Sequence, residues 1–349
     1  MERIESEEQI LAKYKLSEEE HEMYYQTIKR IYTGGKTPEN NPIAVIVGGQ
    51  TGAGKSGILG YSTKMFDDDN VVIINSDEIK PFHPKSEEIA KLYPDLYTKI
   101  TDQESNTWTS RLFEELRREK YNIIFEGTMK NNRIADESIT ELKQIGYTVV
   151  VRGLAVCDLQ SRLSILERYE GQVATKGWGR LVVPAHHNQT YQGMPETIKY
   201  IEENDYYDIL EIYARGEVPS EPILVYSNHN KSSSILTQQA IKNRKYVSKF
   251  TRKFGFEDAK DAVAGSREEE YDMILPTSRI RLQKVMDSMN NRYASDIEKS
   301  MVMDVLNLIE QIIKKKPELS LKQDSINNGG EELNRNLNRT NTLEAYGDR

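Results

Sequence analysis

The chain has a single cysteine, Cys157, so it can close no internal disulfide and build no thiolate metal cluster. No apolar stretch approaches the length of a bilayer span, and the acidic run from Met1 to Leu11 lacks the apolar centre of a signal peptide. A cytoplasmic protein without membrane contact is the expectation. Apolar residues are scarce, at 37%, against 29% charged. At 349 residues the chain still has enough of them for a substantial core, but long solvated helices and some unstructured sequence are expected around it. Positive charge is also in short supply. A net charge of -8 argues against general nucleic-acid binding, which needs a basic surface to neutralise phosphates.

Against these absences stands a phosphate-binding loop in its proper setting. The apolar run Ile43-Ala44-Val45-Ile46-Val47 reads as a strand, Gly49-Gln50-Thr51-Gly52-Ala53-Gly54-Lys55-Ser56 follows it, and a helix-compatible segment comes next. Glycines in such a loop let successive backbone N–H groups turn onto a phosphate. Lys55 is spaced to reach the β- and γ-phosphates and the Ser56 hydroxyl to meet Mg²⁺. Residues Gly49, Gln50, Thr51, Gly52, Ala53, Gly54, Lys55 and Ser56 are therefore expected to bind ATP or GTP.

Before the loop, Ser17-Glu18-Glu19-Glu20 has the form of a helix start, and Tyr24, Ile28 and Ile31 keep helical spacing up to Gly34-Gly35. After it, strands are read at Val71 to Ile74, Asn122 to Phe125 and Val149 to Val151, with helices at Asp102 to Arg118, Ile134 to Ile145 and Leu159 to Tyr169. This alternation predicts a P-loop NTPase-like α/β fold, a parallel sheet with helices on both faces. Gly171 to Pro184, with Gly177-Trp178-Gly179-Arg180 inside it, breaks the pattern as a lid does. A helix is read from Pro195 to Glu203, and the last strands at Asp208 to Tyr213 and Ile223 to Tyr226. Beyond Ser234 the periods are helical and charge-rich, at Tyr271 to Leu275 and Met301 to Ile313, and without a chemical motif they read as interaction surface. The division that follows is an N-terminal helical segment over 1–40, a P-loop kinase domain over 41–230, a helical C-terminal extension over 231–316 and a disordered tail over 317–349.

Ligands of open parallel sheets bind at the carboxyl ends of the strands, so polar groups there come next. Asp77, in Asn75-Ser76-Asp77-Glu78, follows one strand directly and suits a base that takes a proton from an acceptor hydroxyl. Glu126 ends the next strand, in Phe125-Glu126-Gly127-Thr128, and suits Mg²⁺ or substrate. Arg168, in Glu167-Arg168-Tyr169-Glu170, and Arg180, in the lid, are spaced to meet charge on a transferred phosphoryl group, whereas Arg162 reads as a surface residue. His83, His186 and His187 have no third ligand at metal-binding spacing and read as helix termini or hydrogen-bonded surface positions. Cys157 reads as a small buried hydrophobe, and the 20 tyrosines as half-buried packing.

From about Ile43 to about Tyr213, roughly half the chain, this series of motifs resembles the zeta toxins of bacterial toxin–antitoxin systems, which phosphorylate UDP-N-acetylglucosamine. The resemblance is carried by Gly48-Gly49-Gln50; by Asn75-Ser76-Asp77 with His83-Pro84 and Lys91-Leu92-Tyr93; and by Tyr121-Asn122 with Glu126-Gly127-Thr128. Ala155-Val156, Glu167-Arg168-Tyr169-Glu170 and the seven-residue step from Arg180 to His187 complete it. It implies Lys55 and Ser56 on ATP and Mg²⁺, Asp77 as base for the sugar 3′-hydroxyl, and Glu126, Thr128 and Lys130 on the substrate side, Glu126 also serving Mg²⁺. Arg168 and Arg180 would clamp the phosphoryl group. A small helical antitoxin that blocks nucleotide entry is the implied partner. The chain departs from the family at Ser110, where a substrate-contacting glutamate is expected, and at Lys130, where an arginine is.

Two other readings of the same residues remain. One keeps the phosphoryl transfer with a nucleoside, nucleic-acid end or antibiotic as acceptor. The other makes the loop a nucleotide-dependent switch in a regulatory binding protein, which needs fewer strand-end acids than this chain has.

Overall fold

The computed structural model describes residues 5–180, 182–216, 221–229, 255–292 and 294–316. The segment 231–254 and the expected tail over 317–349 lie outside the described residues. Two N-terminal helices, α1 (Glu7–Tyr14) and α2 (Glu18–Thr33), each begin with a serine whose side chain and third-position Gln or Glu form a reciprocal capping box. Strand β1 (Ile43–Gly48) leads to α3 (Lys55–Thr63), and β2 (Val72–Ile74) to the short helices α4 (Ser76–Ile79) and α5 (Ser86–Leu92). The long helix α6 (Tyr97–Arg118) precedes β3 (Ile123–Gly127). A π-helical turn at Ile134–Ile139 runs into α7 (Thr140–Gln144), followed by β4 (Thr148–Ala155) and α8 (Asp158–Lys176). Then come α9 (Pro184–Glu203), β5 (Ile209–Ala214), β6 (Ile223–His229) and two closing helices, α10 (Ala259–Asn290) and α11 (Asp296–Lys315).

The six strands form one sheet in the order β2-β3-β1-β4-β5-β6. The first five are parallel, as expected, and β6 is antiparallel to β5. The link from Ala214 to Ile223 is too short for a crossover helix, so the chain turns back instead. The apolar run of β1 is buried on both faces, as a central parallel strand requires. Its alternate residues diverge. Ala44 and Ile46 join one core with Trp108, Leu112, Val151 and Ile198, while Val45 and Val47 join another with Ile58, Phe66, Ile124 and Val150. A third cluster holds α8 to α10 and α11 through Leu163, Leu166, Leu275, Leu282, Val305 and Ile309.

Two helix boundaries differ from those read in the sequence. Helix α8 passes through Gly171 and ends at Gly177, whose φ of +78° suits the left-handed turn that closes a helix. The irregular segment is thus shorter than expected, and its Trp178 packs on Tyr97 with ring centroids 5.6 Å apart. Helix α9 begins at Pro184 and contains Pro195. A proline in a helix leaves the carbonyl four residues earlier without its donor, here that of Tyr191. Arg267 of α10 supplies one, its Nη1 donating to the Tyr191 carbonyl at 3.0 Å while its guanidinium lies 3.8 Å over the Tyr191 ring. Among the described residues no helix is long and apolar enough to cross a membrane.

Candidate active site

The phosphate loop is pinned from behind. Gly52 and Gly54 adopt φ of +81° and +90°, accessible without strain only to glycine. A Cβ at Gly52 would stand 2.1 Å from the Ser161 carbonyl oxygen, so the loop rests directly on the first turn of α8. The Gln50 side chain is fully buried; its amide donates to the Val156 carbonyl and the Ser161 hydroxyl, and its Oε1 accepts from Arg267 Nη2 at 3.4 Å. Gln50 therefore anchors the loop through its side chain. Thr51 and Ala53 are buried too, whereas Ser56 is exposed in the first turn of α3.

Lys55 Nζ lies 3.0 Å from the Gly49 carbonyl oxygen and 3.6 Å from Glu126 Oε1. Burial lowers its pKa, with Glu126 and Asp77 opposing the shift. Burial raises that of Glu126, whose Oε2 accepts from Asn75 Nδ2 at 2.6 Å. The Asn75 side chain also caps α4 by accepting from the Asp77 N–H at 2.8 Å, so one residue fixes both strand-end acids. The Asp77 carboxylate pairs with Lys80 Nζ at 3.0 Å and with Arg180. Burial works against its ionisation, yet Arg180 and Lys80 together prevail and hold it well below the usual carboxylate range.

Arg168 has no hydrogen-bond partner for its buried Nε and Nη2 among the described residues. Burial and then the neighbouring Arg180 lower its pKa to about 10, against the pull of Asp77 and Glu126. Two buried guanidinium nitrogens without a partner, beside a lysine and a second arginine, concentrate positive charge at this point of the cleft.

Lys55, Asp77, Glu126, Arg168 and Arg180, picked out from strand ends and lid in the sequence, thus converge. Thr128 is half-buried just beyond β3 and Lys130 is exposed after it; neither joins the cluster by a side-chain hydrogen bond or ion pair among the described residues. Ser110 is exposed on α6. Two members of the site went unread. Lys80 is buried and bridges Asp77 to Asp102, 3.0 Å from a carboxylate oxygen of each. The three-residue step from Asp77 to Lys80 was the available signal for the first. Asp102 looked like a helix start, but α6 begins at Tyr97 and carries it on its second turn.

The C-terminal extension also departs from its reading as interaction surface. Besides Arg267 on Gln50, Glu270 of α10 accepts from the Cys157 N–H, and Arg281 makes a two-pronged pair with Glu167 at 2.7 and 2.6 Å. Cys157 itself is buried, and burial raises its pKa. His83 Nε2 lies 2.9 Å from the Tyr14 carbonyl oxygen and His187 Nε2 2.7 Å from the Ser161 hydroxyl; both are hydrogen-bonded, but they are buried rather than at the surface as expected, because α1 covers His83 and α8 covers His187. Half-buried Arg162 bonds Asn188.

A phosphate loop on a largely parallel sheet, faced by two strand-end acids and two guanidinium groups, defines a P-loop protein with a kinase-like phosphotransferase fold. The family model described as Zeta toxin matches residues 28–231, and the chain belongs to the zeta toxin family. Toxin PezT of Streptococcus pneumoniae serotype 4 is 29% identical over 187 residues, covering 53% of this chain and 74% of that protein. Toxin zeta of Streptococcus pyogenes is 27% identical over 187 residues, 53% of this chain, which spans 64% of that relative's length. In fold the chain is similar to one from the PezAT chromosomal toxin–antitoxin system of Streptococcus pneumoniae, with a TM-score of 0.61 and 23% identity over 78% of this chain and 99% of that one.

Proposed function

We propose that the protein is a small-molecule kinase that moves the γ-phosphate of ATP or GTP to a hydroxyl of a nucleotide sugar, the 3′-hydroxyl of UDP-N-acetylglucosamine in the first instance. The observation that carries this reading is the unpaired Arg168 beside an Arg180 that holds the Asp77 carboxylate, all within reach of Lys55. A nucleotide holder needs the loop alone; an acid and two guanidinium groups opposite it suit group transfer.

In the proposed reaction the acceptor oxygen attacks the γ-phosphorus. An oxygen–phosphorus bond forms, the bond to the bridging β–γ oxygen breaks, the nucleoside diphosphate departs, and the acceptor proton passes to Asp77. Lys55 and Arg168 meet the charge that builds on the transferred oxygens. Arg180 has a second task. A triphosphate entering the site competes with Asp77 for Arg180, and the carboxylate it releases becomes a stronger base as the phosphate arrives. Ser56, next to Lys55 in the chain, and Glu126, 3.6 Å from Lys55 Nζ, are hard oxygen donors that would suit a magnesium ion, which would neutralise charge on the β- and γ-phosphates.

Membership of the zeta toxin family, and relatives whose names and structure come from toxin–antitoxin systems, support a small antitoxin protein as partner. The test is direct. The protein is mixed with Mg·ATP or Mg·GTP and a panel of nucleotide sugars, nucleosides, oligonucleotide ends and aminoglycosides, and products are read by mass. A gain of one phosphate on UDP-N-acetylglucosamine is expected. A gain only on another class moves the acceptor, and nucleotide binding with no phosphorylated product in the panel removes the kinase reading.

A further inference from the structure

The sheet order divides the site into two sides. Asp77 and Glu126, at the ends of β2 and β3, lie to one side of β1; β4 and β5 lie to the other. A triphosphate whose γ end faces Lys55, Glu126 and Asp77 must lead its nucleoside end away over β4 and β5. The first residue after β5 whose side chain reaches the loop is Arg215. A Cβ built on Gly54 would stand 3.7 Å from Arg215 Cζ, 3.8 Å from its Nε and 4.0 Å from its Nη2, so the guanidinium rests on the phosphate loop in van der Waals contact. Its Nη1 donates to the Ser164 hydroxyl at 3.1 Å, which ties it to α8. Among the described residues no carboxylate lies within ion-pair distance of it. Arg111, Arg133 and Arg281 have acidic partners within ion-pair distance; half-buried Arg215 has the Ser164 hydroxyl, with the Glu270 charge further off.

Resting on the kinase reading for the direction of the triphosphate, we propose that Arg215 is a nucleotide-binding residue that stacks on the purine base. Guanidinium is planar, weakly hydrated and attracted to aromatic faces, and a purine is such a face. The Ser164 bond holds the group in place before ligand arrives, so little side-chain freedom is lost on binding. Gly54 matters here as well. Any side chain at that position would be strained at φ +90° and would sit against the guanidinium.

Calorimetric titration with Mg·ATP and with Mg·tripolyphosphate tests the assignment, because the two ligands share phosphates and only one has a base. Arg215→Ala is expected to weaken Mg·ATP roughly tenfold and to leave Mg·tripolyphosphate within about twofold. Should that variant not fold, Arg215→Gln, which keeps a donor for Ser164, carries the same expectation. Equal weakening of both ligands would make Arg215 a phosphate contact and overturn the proposal, as would no change in either. Neither titration involves an acceptor. Wild-type protein that binds both ligands but phosphorylates nothing therefore sinks the kinase reading alone, and wild-type protein that binds neither sinks both.

Discussion

Arg180, from the loop after α8, closes on the Asp77 carboxylate at the end of β2, so the acid expected to act as base is ion-paired across the cleft. This pairing sets an order of events. In the proposed reaction Asp77 stays ionised and weakly basic until the incoming triphosphate draws Arg180 away. Lys55→Ala and Asp77→Asn are each expected to reduce turnover by at least about a thousandfold while the circular dichroism spectrum stays native. Substantial phosphorylated product from Asp77→Asn would remove it as the base.

The same pair predicts a pH effect. Asp77 has a depressed pKa, so it remains charged to unusually low pH, and the acid limb of kcat/KM is expected well below the usual aspartate range. Arg180→Leu removes one of the two opposing cations and leaves burial against Lys80 alone. The limb then moves to higher pH, and the residual rate falls by roughly two to three orders of magnitude. The ion pair also adds stability above the unfolded-state aspartate pKa that is lost as pH falls through the folded one. A pH–rate profile of the variant that keeps the wild-type acid limb contradicts this.

The phosphate loop and the strand-end acids were legible in the chain because each follows from short-range pattern, an apolar run and then glycines or an acid at its end, while the two arginines stood out by their place at the end of a helix and in the irregular segment after it. What was not legible depends on partners far away in sequence. Pro195 reads as a helix start by its own chemistry, and only Arg267, on a helix that packs alongside, lets α9 run through it. Gly171 reads as a helix end, but α8 runs on to Gly177, whose positive φ closes it, with Ser288 of α10 and Arg292 holding Glu170 just before the added residues. Lys80 and Asp102 look like two solvated charges until α4 and α6 are brought together. The antiparallel β6 was available from link length alone.

Arg152 and Glu211 form an ion pair inside the sheet, Nε to Oε2 at 2.9 Å, with both side chains buried between Tyr61 and Tyr213. Removing one member leaves the other charge without compensation in a low-dielectric place. Glu211→Leu is expected to cost about 3–5 kcal/mol, read as a lower denaturant midpoint with unchanged slope. The double variant Arg152→Met with Glu211→Leu recovers most of the loss. Equal destabilisation in single and double variants would show that the pair contributes shape rather than charge.

Glu270 gives a second pH dependence, of opposite sign to that of Asp77. Burial raises its pKa to about 7, against the Cys157 N–H and the positive charges of Arg215 and Arg281. The folded state therefore binds more protons than the unfolded state between the ordinary glutamate value and about pH 7, and stability falls as pH rises through that window. Roughly 2–4 kcal/mol is at stake over the full range. Glu270→Gln keeps an acceptor for the Cys157 N–H and carries no charge. Its melting temperature is expected to exceed that of wild type at pH 7.5 and to converge with it near pH 5.

Arg281 and Glu167 connect the C-terminal extension to the helix that carries Arg168. The pair is bidentate and Glu167 is the immediate neighbour of Arg168, so α10 holds the turn of α8 from which Arg168, the proposed phosphoryl clamp, extends. As an ion pair open to solvent it contributes little stability, on the order of 1 kcal/mol or less. Its effect on orientation can be larger, since a small misplacement of a group that meets transition-state charge costs rate steeply. Arg281→Met is therefore expected to lower kcat about fivefold to tenfold, to move the KM for ATP less than about twofold and to shift the melting temperature by only a few degrees. Arg281→Lys restores part of the rate, because a point charge replaces one prong of the two. A charge exchange, Arg281→Glu with Glu167→Arg, restores more, since the planar pairing is rebuilt in reverse. Loss of stability matching the loss of rate, with no rescue by the exchange, would reduce the extension to packing and leave Arg168 oriented by α8 alone.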